Sequence, residues 1–218
     1  MKHKILIILI AIKIFTVSIN IFAFKGTGTE TDPYQIWTKY DLLAIDAHIG
    51  NTGKNNLTEN MHYKLMDDID SVDFVIGDLK NLGVATISAE LHKNYINESI
   101  ENINASMANP TASARSFKGY FNGNNKKIKL NLIDSVDNLA LFYHNSGTIK
   151  NVITEGRVIN TSEKGSAAGL VTHNNGIITH CINNASVTGR SAAGIAAINY
   201  NTISFCTNNG HIRGFVGE

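Results

Sequence analysis

The chain reads as an all-β protein, a right-handed parallel β-helix or solenoid, and three observations carry that reading. SAAGLVTHNNGIITHCINNASVTGR (166–190) runs directly into SAAGIAAINYNTISFCTNNGHIRGF (191–215), and the two align without a gap. An earlier stretch, 145–152, aligns with 174–181 at an offset of 29 residues. The apolar residues of these units form short β-branched runs between Gly and Asn, with no sustained spacing of three and four. A repeat of this length in strand-forming sequence marks a stack of like coils. Consecutive parallel strands of one sheet connect right-handedly, which sets the expected hand.

The repeat assigns positions to one another. If one unit is one coil, like positions lie about 4.8 Å apart, the interstrand spacing. Leu141, Leu170 and Ile195 then form one interior file, and Ile178 lies on Ile203. Val158, Val187 and Ile212 form another file, and Val152, Cys181 and Cys206 a third. The four extra residues of the earlier unit fall in the polar stretch Asn160 to Gly165, read as a longer turn, because insertions in repeats go to loops. The pairs Asn183-Asn184 and Asn208-Asn209 are read as structural: Asn tolerates left-handed turns, and stacked amides bond along the axis as a ladder.

Taken in order, residues 1–23 read as a secretory signal. Lys2, His3 and Lys4 precede the apolar run from Ile5 to Ile12, and Ala23 offers a small residue for cleavage. Lys13 interrupts the run, which argues against an ordinary membrane span, with an uncleaved anchor as the alternative. The chain holds 19 Lys+Arg against 18 Asp+Glu; without Lys2, Lys4 and Lys13 the balance becomes 16 against 18. That leaves no basic excess to suggest nucleic acid.

Residues 24–60 read as an N-terminal cap. Gly26 to Tyr34 is turn-rich, Tyr34-Gln35-Ile36-Trp37 is a short strand, and Thr38 with Asp41 makes a capping box. Leu42, Ile45 and Ile49 follow at helical spacing. A solenoid needs such a cap because a bare end leaves backbone groups and apolar surface exposed. Trp37 is assigned to the core rather than to sugar stacking. Residues 61–116 hold the first strand, His62 to Asp70, and then leave the repeat. Ile87, Leu91, Tyr95, Ile96, Ile100, Ile103 and Met107 recur at helical spacing, so an inserted amphipathic helix is expected against the solenoid flank. Coils resume at Phe117 and fill 117–218, with the cleanly alternating strand Lys127 to Leu132. Phe215 begins a further coil whose open edge suits self-association, or marks a truncated fragment of a longer protein.

Five pieces in order resemble bacterial surface proteins carrying the GLUG motif. They are Gly26 to Ile36, Tyr63 to Asp70, Phe117 to Leu132, Ala140 through Val152, and the two final repeats. The motif stands as Gly169-Leu170-Val171 and Gly194-Ile195-Ala196. Thr172, Ala197 and, in the earlier copy, Tyr143 hold its closing Gly position, and Ala140 replaces the opening one. The resemblance implies a parallel β-helix displayed on or released from a bacterial cell, adhesin-like, with no catalytic residues.

The remaining chemistry is sparse. Asp67, Asp68 and Asp70 read as a solvated strand end rather than a calcium site, since no Gly follows at the EF-hand spacing. Cys181 and Cys206 read as buried free thiols, because side chains stacked along a file point the wrong way for easy bridging. His144, His173, His180 and His211 are scattered one to a coil, with His173 and His180 on exposed positions, so neither a metal nor a cofactor is assigned. No catalytic motif is found. Asp134 and Asp137 are close, but the repeats after Gly165 carry no acid before Glu218, which argues against an enzyme. The expectation is a secreted or cell-surface binding module without catalysis, whose partner is a glycan or protein of a host or cell surface. Alternatives are a polysaccharide lyase-like β-helix and a structural fragment.

Overall fold

The computed structural model describes residues 24–49, 56–78 and 115–215. The chain enters through β1 (Tyr34–Ile36) and the helix α1 (Lys39–His48). A first coil holds β2 (His62–Leu65) and β3 (Ile69–Val72). A second holds β4 (Tyr120–Asn122), β5 (Lys127–Asp134), β6 (Asn138–Leu139) and β7 (Phe142–Asn145). The third holds β8 (Thr148–Lys150), β9 (Ile153–Asn160), β10 (Ser166–Ala168) and β11 (Val171–Asn174). The fourth holds β12 (Ile177–Thr179), β13 (Ile182–Asn183), β14 (Ser186–Gly189), β15 (Ser191–Ala193) and β16 (Ala196–Asn199). A fifth contains β17 (Thr202–Ser204), β18 (Thr207–Asn208) and β19 (Ile212–Gly214).

These strands are too short to hold together alone. Stacking supplies the missing backbone partners. Among the named strands every pairing is parallel, and four sheets run along the axis. The longest ladder but one is six-stranded, β1-β2-β4-β8-β12-β17. The result is a β-solenoid of about 5 turns.

The registers follow the sequence offsets. Ile178 pairs with Ile149 and Ile203, and Val187 with Val158 and Ile212. Asn174 pairs with Asn145 and Asn199. Val152 and Cys181 are buried and Cys206 packs against them, so the third expected file is inward-facing. Along the six-stranded sheet the inward file runs Tyr63, Phe121, Ile149, Ile178, all buried. Aromatic rings gather at its early end, where Phe117 lies 5.5 Å from Phe142 and 5.8 Å from Tyr63. The later coils are filled by Val, Ile and Ala.

Two polar ladders run inside the corners. Asn145 Nδ2 donates to Asn174 Oδ1 at 2.8 Å, and Asn174 Nδ2 to Asn199 Oδ1 at 2.7 Å. Thr154 Oγ1 donates to Asn183 Oδ1, and Asn183 Nδ2 to Asn208 Oδ1, both at 2.7 Å. Of each Asn pair, one member enters the ladder. The other faces water, where Asn209 Nδ2 donates to Asn184 Oδ1 at 3.0 Å. Beside the first ladder Gly147 and Gly176 stack so tightly that a Cβ on Gly176 would collide with the Gly147 carbonyl oxygen. At the next corner Asn151, His180 and Phe205 take φ of 54°, 53° and 52°. Asn accepts that left-handed backbone readily; His and Phe do so because the coil fixes them. Their N–H groups are committed, Asn151 to Thr179 O at 3.2 Å and His180 to Ser204 O at 3.1 Å.

The cap forms as expected at α1. Thr38 Oγ1 accepts from Asp41 N, and Asp41 Oδ2 accepts from Thr38 N at 2.9 Å, closing the capping box. Leu42, Ile45 and Ile49 are buried. Three expectations are corrected. Trp37 is not core: it is 44 % exposed, at the end of an edge strand with Lys25 Nζ 5.7 Å over its ring. The coil does not stop at residue 70, for β3 continues to Val72 and Ile76 bridges to Phe142. His173 is half-buried rather than exposed, because a neighbouring histidine covers it. The expected signal at 1–23, the inserted helix from Ile87 to Met107 and residues 216–218 lie outside the described residues.

Candidate binding groove

Period-two alternation decides what the six-stranded sheet shows to solvent. With Tyr63, Phe121, Ile149 and Ile178 turned inward, their neighbours turn outward. One outward file is His62, Tyr120, Thr148, Ile177, Thr202; the other is Lys64, Asn122, Lys150, Thr179, Ser204. The entry loop forms a wall beside them. Gly26 (φ 93°) and Gly28 (φ 77°) make its turns, and Thr27 N donates to Asp32 O at 3.0 Å. Glu30, Thr31 and Pro33 line this wall. Wall and sheet enclose a cleft of about 660 Å³, floored by His62, Lys64, Tyr120, Asn122, Thr148 and Lys150.

The floor has a definite chemistry. The rings of His62 and Tyr120 stack with centroids 4.3 Å apart and planes 13° from parallel. Tyr120 is exposed, so the pair offers solvent an aromatic edge carrying polar tips. Lys64 and Lys150 flank Asn122 in one file, two strand spacings or roughly 10 Å apart. Neither lysine meets a carboxylate among the described residues, whereas Lys118 and Lys127 elsewhere are paired with Glu59 and Glu155. Asn122 Oδ1 is committed to the corner, accepting from Asn124 N at 2.9 Å and Asn151 Nδ2 at 3.1 Å. Glu30 is the single carboxylate among the lining residues.

The residues weighed from sequence fall elsewhere. Asp67, Asp68 and Asp70 are exposed and tied to β5: Asp68 Oδ1 accepts from Lys127 N at 2.9 Å, and Asp70 lies 3.6 Å from Lys129 Nζ. Asp134 and Asp137 stand exposed at the end of β5 and beyond it, away from the cleft. His144 and His173 do meet, with ring centroids 4.4 Å apart and Tyr143 stacked on His144 at 4.7 Å. Burial and then the neighbouring His173 hold His144 down to about 4, and burial lowers His173 as well. His180 is exposed and stacked on Phe205 at 4.9 Å, and His211 is exposed as well. Among the described residues no group of three or more His, Cys, Asp or Glu could hold a metal ion.

Both cysteines are free thiols, but only Cys181 is buried as expected; Cys206 lies in the outer, fifth coil and is half-buried. Cys181 N–H points at Cys206 Sγ across 3.4 Å. The hydrogen bond from the Cys181 thiol, helped by that N–H, lowers Cys206 to about 6, while the same bond and burial push Cys181 up. The groove residues His62, Lys64, Tyr120 and Lys150 were missed in the sequence reading. Aligning Tyr63-Lys64 with Phe121-Asn122 and Ile149-Lys150 would have placed them in register.

No protein-family model, curated protein or solved structure matches the chain. No described helix is long and apolar enough to cross a membrane.

Proposed function

We propose that this protein is an exported, adhesin-like binding module that holds its ligand on the outer face of the six-stranded sheet and performs no catalysis. The observation that carries this reading is the cleft over His62, Lys64, Tyr120 and Lys150, with two lysines that pair with no carboxylate among the described residues beside an exposed aromatic ring. Concave sites with a few convergent polar groups are where ligands bind. A hydrolase of the two-carboxylate kind needs a pair of acids across the scissile bond, and this lining supplies Glu30 alone. The apolar run at residues 5–12, read as a secretory signal, and the resemblance to GLUG-motif surface proteins support export to a bacterial surface or medium.

The test is a screen of the purified protein against immobilised glycans and extracellular-matrix proteins, with polysaccharide turnover followed in parallel. Saturable binding that Tyr120→Ala weakens supports the reading. Cleavage of any polysaccharide, or binding unaffected by changes on this face, overturns it.

A further inference from the structure

We infer that the ligand of this face is a linear acidic polysaccharide carrying one anionic group on every second sugar, lying along the solenoid axis. The inference rests on the reading of the cleft as a binding site and adds what it recognises. Lys64 and Lys150 belong to one outward file with Asn122 between them, so their stems rise from strands two spacings apart. An extended chain of alternating 1,3- and 1,4-linked β-pyranoses advances by close to one strand spacing per sugar. A chain running across the strands therefore brings each sugar over one coil, and every second sugar over a lysine.

The other groups fit the same occupant. The stacked His62 and Tyr120 rings, in the neighbouring file, give the sugar between the two anions an aromatic edge to pack against. Beyond Lys150 the same face offers Thr179, Thr202 and Ser204, hydroxyls that suit sugar hydroxyls, on three further strand ends. Glu30 lines the same cleft, so an anion without a lysine to meet it gains nothing there. The pattern is thus alternation of charge, and a uniformly charged polymer would leave the anion over Asn122 without a cation. Aligned lysines of this kind take carboxylate or sulfate alike as point charges.

The experiment measures binding of the purified protein to hyaluronan (a carboxylate on alternate sugars), chondroitin sulfate and polygalacturonate (an anion on every sugar) and neutral dextran, at several salt concentrations. Hyaluronan is expected to bind, and chondroitin sulfate, polygalacturonate and dextran to bind more weakly by about tenfold or more. Lys64→Gln and Lys150→Gln each lower affinity about tenfold and reduce the salt dependence, the loss of one charge-assisted contact. Thermal unfolding of both variants stays unchanged, since neither side chain is in the core. Equal binding of dextran, a preference for chondroitin sulfate or polygalacturonate, or full affinity in the double variant overturns the inference. If a matrix protein binds this face and no glycan does, the inference fails and the binding reading stands; if nothing binds, both fail.

Discussion

Arg115 Nη2 lies 3.2 Å from Asp46 Oδ2, with both side chains closed off from solvent. The same carboxylate accepts from Gly77 N at 2.5 Å through Oδ1, and Arg115 Nη2 also reaches Asp46 O at 3.0 Å. The helix α1 thereby grips the chain on both sides of residues 79–114. Burial pushes the Asp46 carboxyl above its usual value against the pull of Arg115. Removing one partner strands the other, so Arg115→Ala is expected to cost about 3–5 kcal/mol. Replacing both, as Asp46→Leu with Arg115→Met, should cost clearly less. Urea unfolding midpoints check the difference.

Asn174 occupies the middle of the inner ladder and is wholly buried. Besides its two ladder bonds, its Oδ1 accepts from Gly176 N at 3.2 Å and its Nδ2 donates to Gly176 O at 3.1 Å. Asn174→Ala leaves several buried groups unpaired and should destabilise by about 2–4 kcal/mol. Asn209→Ala, on the wet side of its corner, should stay within about 0.5 kcal/mol. Equal losses in the two variants would contradict the ladder's inward placement.

His144 makes the fold sensitive to acid. Its folded value is lowered from 6.5 to about 4, so as pH falls below 6.5 the unfolded chain gains a proton that the folded protein refuses until about 4. Stability is therefore full above 6.5 and is lost as pH drops through that window. His144→Gln should flatten this part of the curve, as read by thermal midpoints across the window.

The two thiols should differ in reactivity. Cys206 is half-buried and lowered to about 6, so its alkylation by iodoacetamide should be near its maximum at neutral pH and slow below about 6. Cys181 is buried with its thiol held protonated, and should react only on unfolding. Peptide mapping after timed labelling distinguishes them; simultaneous labelling in the native state would contradict the stacked arrangement.

Much of the architecture was legible because like residues recur at fixed offsets. Val187 could be set over Val158 before any coordinates, and Thr38 with Asp41 announced the helix start. What repetition cannot say is which of Asn183 and Asn184 turns inward; that depends on the corner, where Asn183 alone reaches Ala185 N and O. Nor could it pair Arg115 with Asp46, since neither belongs to the repeat and the two are 69 residues apart. The groove was hidden for a related reason. Its lining joins the entry loop to three coils, and residues 79–114 interrupt the register between His62 and Tyr120.

One corner of the third coil is longer than its counterpart in the fourth. From β9 to β10 the chain passes through 161–165, with Glu163 and Lys164 exposed, while from β14 to β15 it turns on Arg190 alone. Ala167 nevertheless pairs with Ala192 and Val158 with Val187 on either side. The length of this bend is thus uncoupled from the stacking that it joins. A foreign epitope spliced between Ser162 and Lys164 would ride outside the solenoid wall on an undisturbed frame, which makes the molecule a ready-made display scaffold.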